Sequence, residues 1–205
     1  MDCCRHEGCG AERLTRRQVA VLKRLLAING AMFAVELAAG LAAGSVALLA
    51  DSLDMLGDAL VYGLSLLAVT RGERWKAGAA LFKGAVMAGF GLFVLVKAVH
   101  GMLIPELPQV SLMGGVGLLA LAANGLCLAL LWCHRGDDVN MRSAWLCSRN
   151  DIVANVSVLG AAGAVHVLGS AWPDIAVGLA LAALWFVSSL GVVRSASRAL
   201  GVARA

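Results

Sequence analysis

The chain has 205 residues, of which 60% are hydrophobic and 15% are charged, and its formal net charge is +4. A single soluble core cannot bury that share of apolar surface, so the composition excludes an ordinary soluble domain. The basic residues are spread over the tails and the connections between apolar segments and form no single patch, so we expect no nucleic-acid partner. The sequence predicts an integral protein of the lipid bilayer, built of helices about 20 residues long, which cross ~30 Å of hydrocarbon.

Six apolar segments follow one another, each long enough to span a bilayer as a helix. We predict an all-α fold with six transmembrane helices, at residues 18–42, 46–70, 77–100, 109–133, 141–166 and 173–194. They form one transmembrane domain over 18–195, between a Cys/His-containing tail at 1–17 and a short tail at 196–205. The polar and basic start is unlike an export signal, so the first span is expected to remain as an anchor.

Lys and Arg are distributed unevenly among the connections. They occur in both tails and in the connections after the second and fourth spans, whereas the other three connections contain none. Because positively charged connections stay on the cytoplasmic side, both termini are predicted to be cytoplasmic.

The first tail concentrates soft metal ligands within a few residues: Cys3, Cys4, His6 and Cys9. Such a cytoplasmic thiol cluster can capture a metal ion and pass it on, which predicts weak metal binding. The alternative is an unstructured tail with incidental cysteines.

Two motifs inside the apolar segments indicate an ion site: Asp54-x-x-x-Asp58 in the second span and Cys147-x-x-x-Asp151 in the fifth. The residues of each pair lie one helical turn apart and share a helix face. An ionised carboxylate deep in a bilayer costs at least ~2.5 kcal/mol, so such pairs are expected only where they have a function. Because the two spans run in opposite directions, the pairs meet near the midplane. Three carboxylates and a thiolate suit a four-coordinate, soft transition-metal ion.

Three further residues of the spans carry chemistry of their own. Asp51, one turn before Asp54, is either an exit ligand or a hydrogen-bonding group at the outer mouth. Glu36 in the first span needs a partner or water, and serves either a proton path or structural pairing. Cys127 is expected to pack as a small apolar side chain.

The motifs resemble those of the cation diffusion facilitator family. Residues 44–58 are similar to its second-span signature, Ser-x-Ala-Leu-Leu-Ala-Asp-Ala-x-His-x-x-x-Asp, with Asp54 in place of the His. Residues 142–151 resemble its second His-x-x-x-Asp, with Cys147 in place of the His. The Trp-Pro-Asp at 172–174 also fits the pattern at the start of the sixth span.

The resemblance implies a secondary transporter in the inner membrane of a bacterium. It would export divalent heavy-metal cations, zinc or cadmium first and cobalt next, in exchange for protons. Metal ions and protons would be its partners, with no resident cofactor and no enzymatic activity. The alternatives are a non-transporting membrane sensor or metal-delivery subunit and, behind it, a metal enzyme of the membrane, for which the sequence offers no clear catalytic base.

Two departures from the family bear on assembly and on the metal. About ten residues follow the last span, so we expect a short member without the family's cytoplasmic C-terminal domain, and the His-rich loop between spans four and five is absent. A homodimer is usual in the family, and without that domain the oligomeric state stays open. The Cys147 replacement leaves the identity of the metal open as well.

Overall fold

The computed structural model describes residues 10–68, 73–132 and 139–202, while some side chains within these ranges, Cys147 among them, lie outside the description. Six α-helices account for nearly all of these residues: α1 Gly10–Ala43, α2 Val46–Ala68, α3 Glu73–Leu103, α4 Val110–Trp132, α5 Val139–Leu168 and α6 Trp172–Val202. The all-α, six-helix prediction is confirmed.

Two helices extend well beyond the predicted spans. α1 begins at Gly10, where a span from residue 18 was predicted, and α6 continues to Val202, past the predicted end at residue 194. The apolar pattern predicts only the part of a helix that lies in hydrocarbon. The helix itself can continue into water, because its backbone hydrogen bonds do not require apolar side chains. The added turns are rich in Ala, Leu and Arg, which are strong helix formers.

Five of the six helices are long and apolar enough to cross a membrane by length and composition: Arg16–Ala43, Gly78–Leu103, Val110–Trp132, Ser148–Leu168 and Trp172–Gly191. Many of their large apolar side chains point outward, as a lipid-facing surface requires; Val96 and Leu118, for example, are each 60% exposed. Contiguous apolar surface of this kind is typical of a protein solvated by lipid.

The remaining helix, α2, is the centre of the bundle. It packs against α1, α3, α5 and α6. Apart from Leu56, every residue from 45 to 59 is buried, so α2 is enclosed on all sides along this stretch. α2 carries three aspartates along its length, and the neighbouring helices separate them from lipid.

Three short connections meet at one end of the bundle, which we call the hairpin end: residues 44–45, 104–109 and 169–171. The Gln109 N–H donates to the Ala43 carbonyl at 2.9 Å, which ties the second of these connections to the first. Gly44 has φ of 67°, a conformation that favours glycine and allows α1 to reverse directly into α2. These are the connections without Lys or Arg, so the hairpin end is the predicted outer end.

Asp174, in the first turn of α6, caps the N-terminus of α2 at the hairpin end. Its carboxylate accepts hydrogen bonds from the Ser45 hydroxyl at 2.6 Å, the Val46 N–H at 2.7 Å and the Ala47 N–H at 3.1 Å. The Ser45 hydroxyl oxygen accepts in turn from the Leu48 N–H at 3.1 Å. The first N–H groups of a helix have no partner within it, and here the start of another helix supplies the acceptors.

Close approach of α6 to α2 depends on a glycine. A Cβ at Gly178 would lie 2.6 Å from the carbonyl carbon of Val46 and 2.7 Å from the nitrogen of Ala47. Small residues at helix interfaces allow backbones to approach in this way. The contact holds the Asp174 cap, and with it α2, in place.

Candidate metal site

The three aspartates of α2 lie on one side of the helix inside the bundle. Asp51, Asp54 and Asp58 follow one another at spacings of three and four residues, which brings their side chains onto one face. They are 0%, 4% and 8% exposed, respectively. Carboxylates so far from water need hydrogen-bond donors, protons or cations as partners.

Asp151 of α5 meets the middle of this row. It is 3% exposed, and its carboxyl group interacts electrostatically with that of Asp54. Asp54 also interacts electrostatically with Asp58. The Oδ2 atom of Asp54 has no hydrogen-bond partner within the part of the chain that the structure describes. Asp54 thus interacts with Asp151 across the α2–α5 interface and with Asp58 along its own helix.

Asp58 is oriented by groups from its own helix and from α3. The Tyr62 hydroxyl donates to Oδ2 of Asp58 at 2.8 Å, and Lys83 of α3 adds a favourable electrostatic interaction. Tyr62 is 1% exposed, so this donor is held within the bundle. Tyr62 is not among the residues predicted for the site, although its position four residues after Asp58 places it on the same helix face.

The fourth predicted ligand, Cys147, lies on α5 one turn before Asp151, and its side chain is outside the described residues. Within residues 10–68, 73–132 and 139–202, no three described His, Cys, Asp or Glu side chains form a group that could hold a metal ion. The complete ligand set thus stays a prediction. It requires the Cys147 thiolate and a closer approach of the carboxylates.

Cys127 of α4 is buried among apolar side chains, as predicted, and its thiol has polar neighbours as well. Its neighbours include the apolar side chains Leu25 and Leu131, as expected for a small buried residue. Its sulfur also accepts a hydrogen bond from Asn29 Nδ2 at 3.6 Å, and the thiol interacts electrostatically with Asp58. The spacing of residues in α4 contains no signal for this placement, because the facing carboxylates belong to other helices.

Asp51 takes part in a polar network that links α2, α5 and α4. Asn155 Nδ2 donates to both carboxylate oxygens of Asp51, at 3.0 and 2.9 Å. Asn124 Nδ2 donates to Asn155 Oδ1 at 3.0 Å. The hydrogen-bonding alternative for Asp51 is therefore observed, with an amide of α5 as its donor, while its role as an exit ligand stays a prediction.

The predicted thiol cluster of the first tail lies outside the described residues: Cys3, Cys4, His6 and Cys9. Its metal binding stays a prediction from the sequence alone.

Comparison with known families places this arrangement in context. The family model of the cation efflux transmembrane domain matches residues 22–200, most of the chain. The chain belongs to the cation efflux family. The resemblance that the motifs of α2 and α5 indicated is thereby confirmed, and the six-helix bundle is this family's membrane domain.

Curated relatives extend the comparison. The chain is 24% identical over 188 residues to the metal cation efflux system protein CzcD of Cupriavidus metallidurans, covering 86% of this chain and 59% of that protein. It is 25% identical over 189 residues to the cadmium, cobalt and zinc/H(+)-K(+) antiporter of Bacillus subtilis, covering 85% of this chain and 60% of that protein. The chain thus spans about three fifths of the length of these relatives.

Proposed function

We propose that this chain exports divalent heavy-metal cations from the cytoplasm in exchange for protons, with zinc and cadmium as the leading substrates and cobalt next. The transport site consists of Asp54, Asp58, Cys147 and Asp151. The observation that supports the proposal is the burial of Asp54, Asp58 and Asp151 inside the membrane domain of this family, with Asp54 interacting electrostatically with the other two. The names of the relatives, which include cadmium, cobalt and zinc, support the choice of metals.

Proton exchange has a physical basis in the burial of Asp54 and Asp151, which interact electrostatically. Two carboxyl groups buried near one another are less costly when one of them carries a proton. Metal ligands must be deprotonated, so a metal ion that binds these groups displaces that proton. Loading the site from one side and reprotonating it from the other couples the two fluxes, and alternating access keeps the two openings apart.

The proposed orientation places the hairpin end outside the cell and both termini in the cytoplasm of a bacterium, across its inner membrane. Support comes from the Lys- and Arg-free connections of the hairpin end. The thiols of the first tail, at the opposite end, would then capture cytoplasmic metal before it enters the bundle.

The experiment is metal flux into proteoliposomes that contain purified protein, an internal metal-sensitive dye and an imposed pH gradient. Zinc, cadmium, cobalt and manganese are compared for the parent chain, Asp58→Ala and a matched carboxylate control, Glu106→Gln, in the exposed connection between α3 and α4. We expect uptake of zinc and cadmium that requires the gradient, is lost in Asp58→Ala and is unchanged in Glu106→Gln.

Three outcomes would contradict the proposal or one part of it. Uptake that persists in Asp58→Ala would remove Asp58 from the transport site. Metal binding without flux, in protein shown to be folded, would favour a sensor or delivery subunit. Uptake that ignores the pH gradient would leave metal export standing and exclude proton exchange.

A further inference from the structure

Glu36 of α1 is a buried carboxyl group that the proposed transport site does not use. Its side chain is 0% exposed, and neither Oε1 nor Oε2 has a hydrogen-bond partner in the described parts of the chain. Leaving such a group without a partner costs several kcal/mol, and more when it is ionised. A residue with two unpartnered oxygens in the interior therefore indicates a ligand that the protein itself does not provide.

Among the charged groups near Glu36, Asp51 of α2 interacts with it most strongly. The two carboxyl groups interact electrostatically, and Glu36 also interacts with Asp54. Their depths agree: Glu36 lies seven residues from the end of α1 and Asp51 five residues from the start of α2, which is ~10 and ~8 Å from the hairpin end at ~1.5 Å per residue. Both lie nearer that end than Asp58 does.

Asp51 is already oriented as a cation ligand would be. The Asn155 amide donates to both of its oxygens, and Asn124 holds the Asn155 amide in turn. Each carboxylate oxygen has a second lone pair, so these donors fix the direction of Asp51 and leave acceptor capacity. Partners of this kind are what orients the ligands of metal sites.

Charge balance favours a divalent cation. In the described residues, neither Glu36 oxygen has a hydrogen-bond partner and the charged groups that act on Glu36 are the carboxylates of Asp51 and Asp54, whereas Asp58 has Lys83 nearby. Two carboxylates carry two negative charges, which one divalent ion neutralises. All the available ligand atoms are oxygens, so the pair suits harder divalent ions better than the thiolate-containing transport set does.

We propose that Glu36 and Asp51 form a second divalent-cation site, made of oxygen ligands only, between the transport site and the hairpin end. Asp54, which interacts electrostatically with both carboxylates and with Asp58, connects the two sites. A soft ion that leaves the thiolate for this oxygen pair is held less tightly, which eases its release from the hairpin end.

The test counts bound Mn²⁺, an ion that accepts oxygen ligands and is visible by electron paramagnetic resonance, on the full chain purified in detergent. Asp58→Ala serves as the parent because it weakens the transport site. Glu36→Gln, Asp51→Asn and the exposed control Glu106→Gln are each added to that background, and gel filtration confirms that each protein is monodisperse. We expect Glu36→Gln and Asp51→Asn each to lose one bound Mn²⁺, and Glu106→Gln to lose none.

Equal Mn²⁺ binding in the parent and in Glu36→Gln would overturn the inference, and would mean that Glu36 holds only a proton. If Glu36→Gln does not fold, Asp51→Asn decides alone, because asparagine can still accept from Asn155. The result is separable from the proposed function. If metal flux depends on Asp58 but Mn²⁺ binding does not depend on Glu36, only the second site is rejected. If Mn²⁺ binding depends on Glu36 but metal flux does not depend on Asp58, only the transport proposal is rejected.

Discussion

Asp174 should contribute strongly to stability, because its carboxylate, which belongs to α6, accepts hydrogen bonds from the first backbone N–H groups of the central helix α2. In Asp174→Ala the Val46 and Ala47 N–H groups lose their acceptor, and both residues are buried, at 6% and 0% exposed. Each unsatisfied buried donor costs ~1–3 kcal/mol. We therefore expect a loss of about 4 kcal/mol in the free energy of unfolding.

For a chain of this size, 1 kcal/mol corresponds to roughly 2–4 °C in the melting temperature, so the expected decrease is on the order of 10 °C. The assay is tryptophan fluorescence of the purified protein in detergent during heating. Asp174→Asn retains one acceptor oxygen and should lose about half as much. Glu106→Ala removes an exposed carboxylate and should melt with the parent.

An Asp174→Ala protein that melts at the parent temperature would refute this reasoning. It would mean that water or a rearranged turn accepts the hydrogen bonds of the two N–H groups. The N-terminus of α2 would then be open to solvent, contrary to its burial.

Two further predictions concern packing and the site. Gly178→Ala places a Cβ against the backbone of α2 and should lower the melting temperature by about 5 °C, since overpacking costs ~1–3 kcal/mol. The control is Gly125→Ala, which has open space around it and should melt with the parent. Equal melting temperatures of the two variants would argue against the close α2–α6 contact. Tyr62→Phe removes the hydrogen-bond donor to Asp58 and should leave the protein folded while raising the Kd for cadmium roughly tenfold, as measured by calorimetric titration. An unchanged Kd would mean that this hydrogen bond does not orient Asp58.

The sequence by itself determined the class of protein and the residues that matter most. Apolar length predicted six helices, and the one-turn spacing of Asp54 and Asp58 predicted that they share a face. Both deductions use only the rise and period of a helix, which hold whatever surrounds it. The family motifs rest on the same spacing, and the match over residues 22–200 confirmed what they indicated.

Only the tertiary structure decided which faces oppose one another. The hydrogen bonds from Asn155 to Asp51, from the start of α2 to Asp174 and from Asn29 to Cys127 join residues from 98 to 128 positions apart along the chain. The helical period places these side chains on a face, but packing decides which helix that face meets. Here the packing depends on close contacts such as Gly178 against α2, which no periodicity encodes.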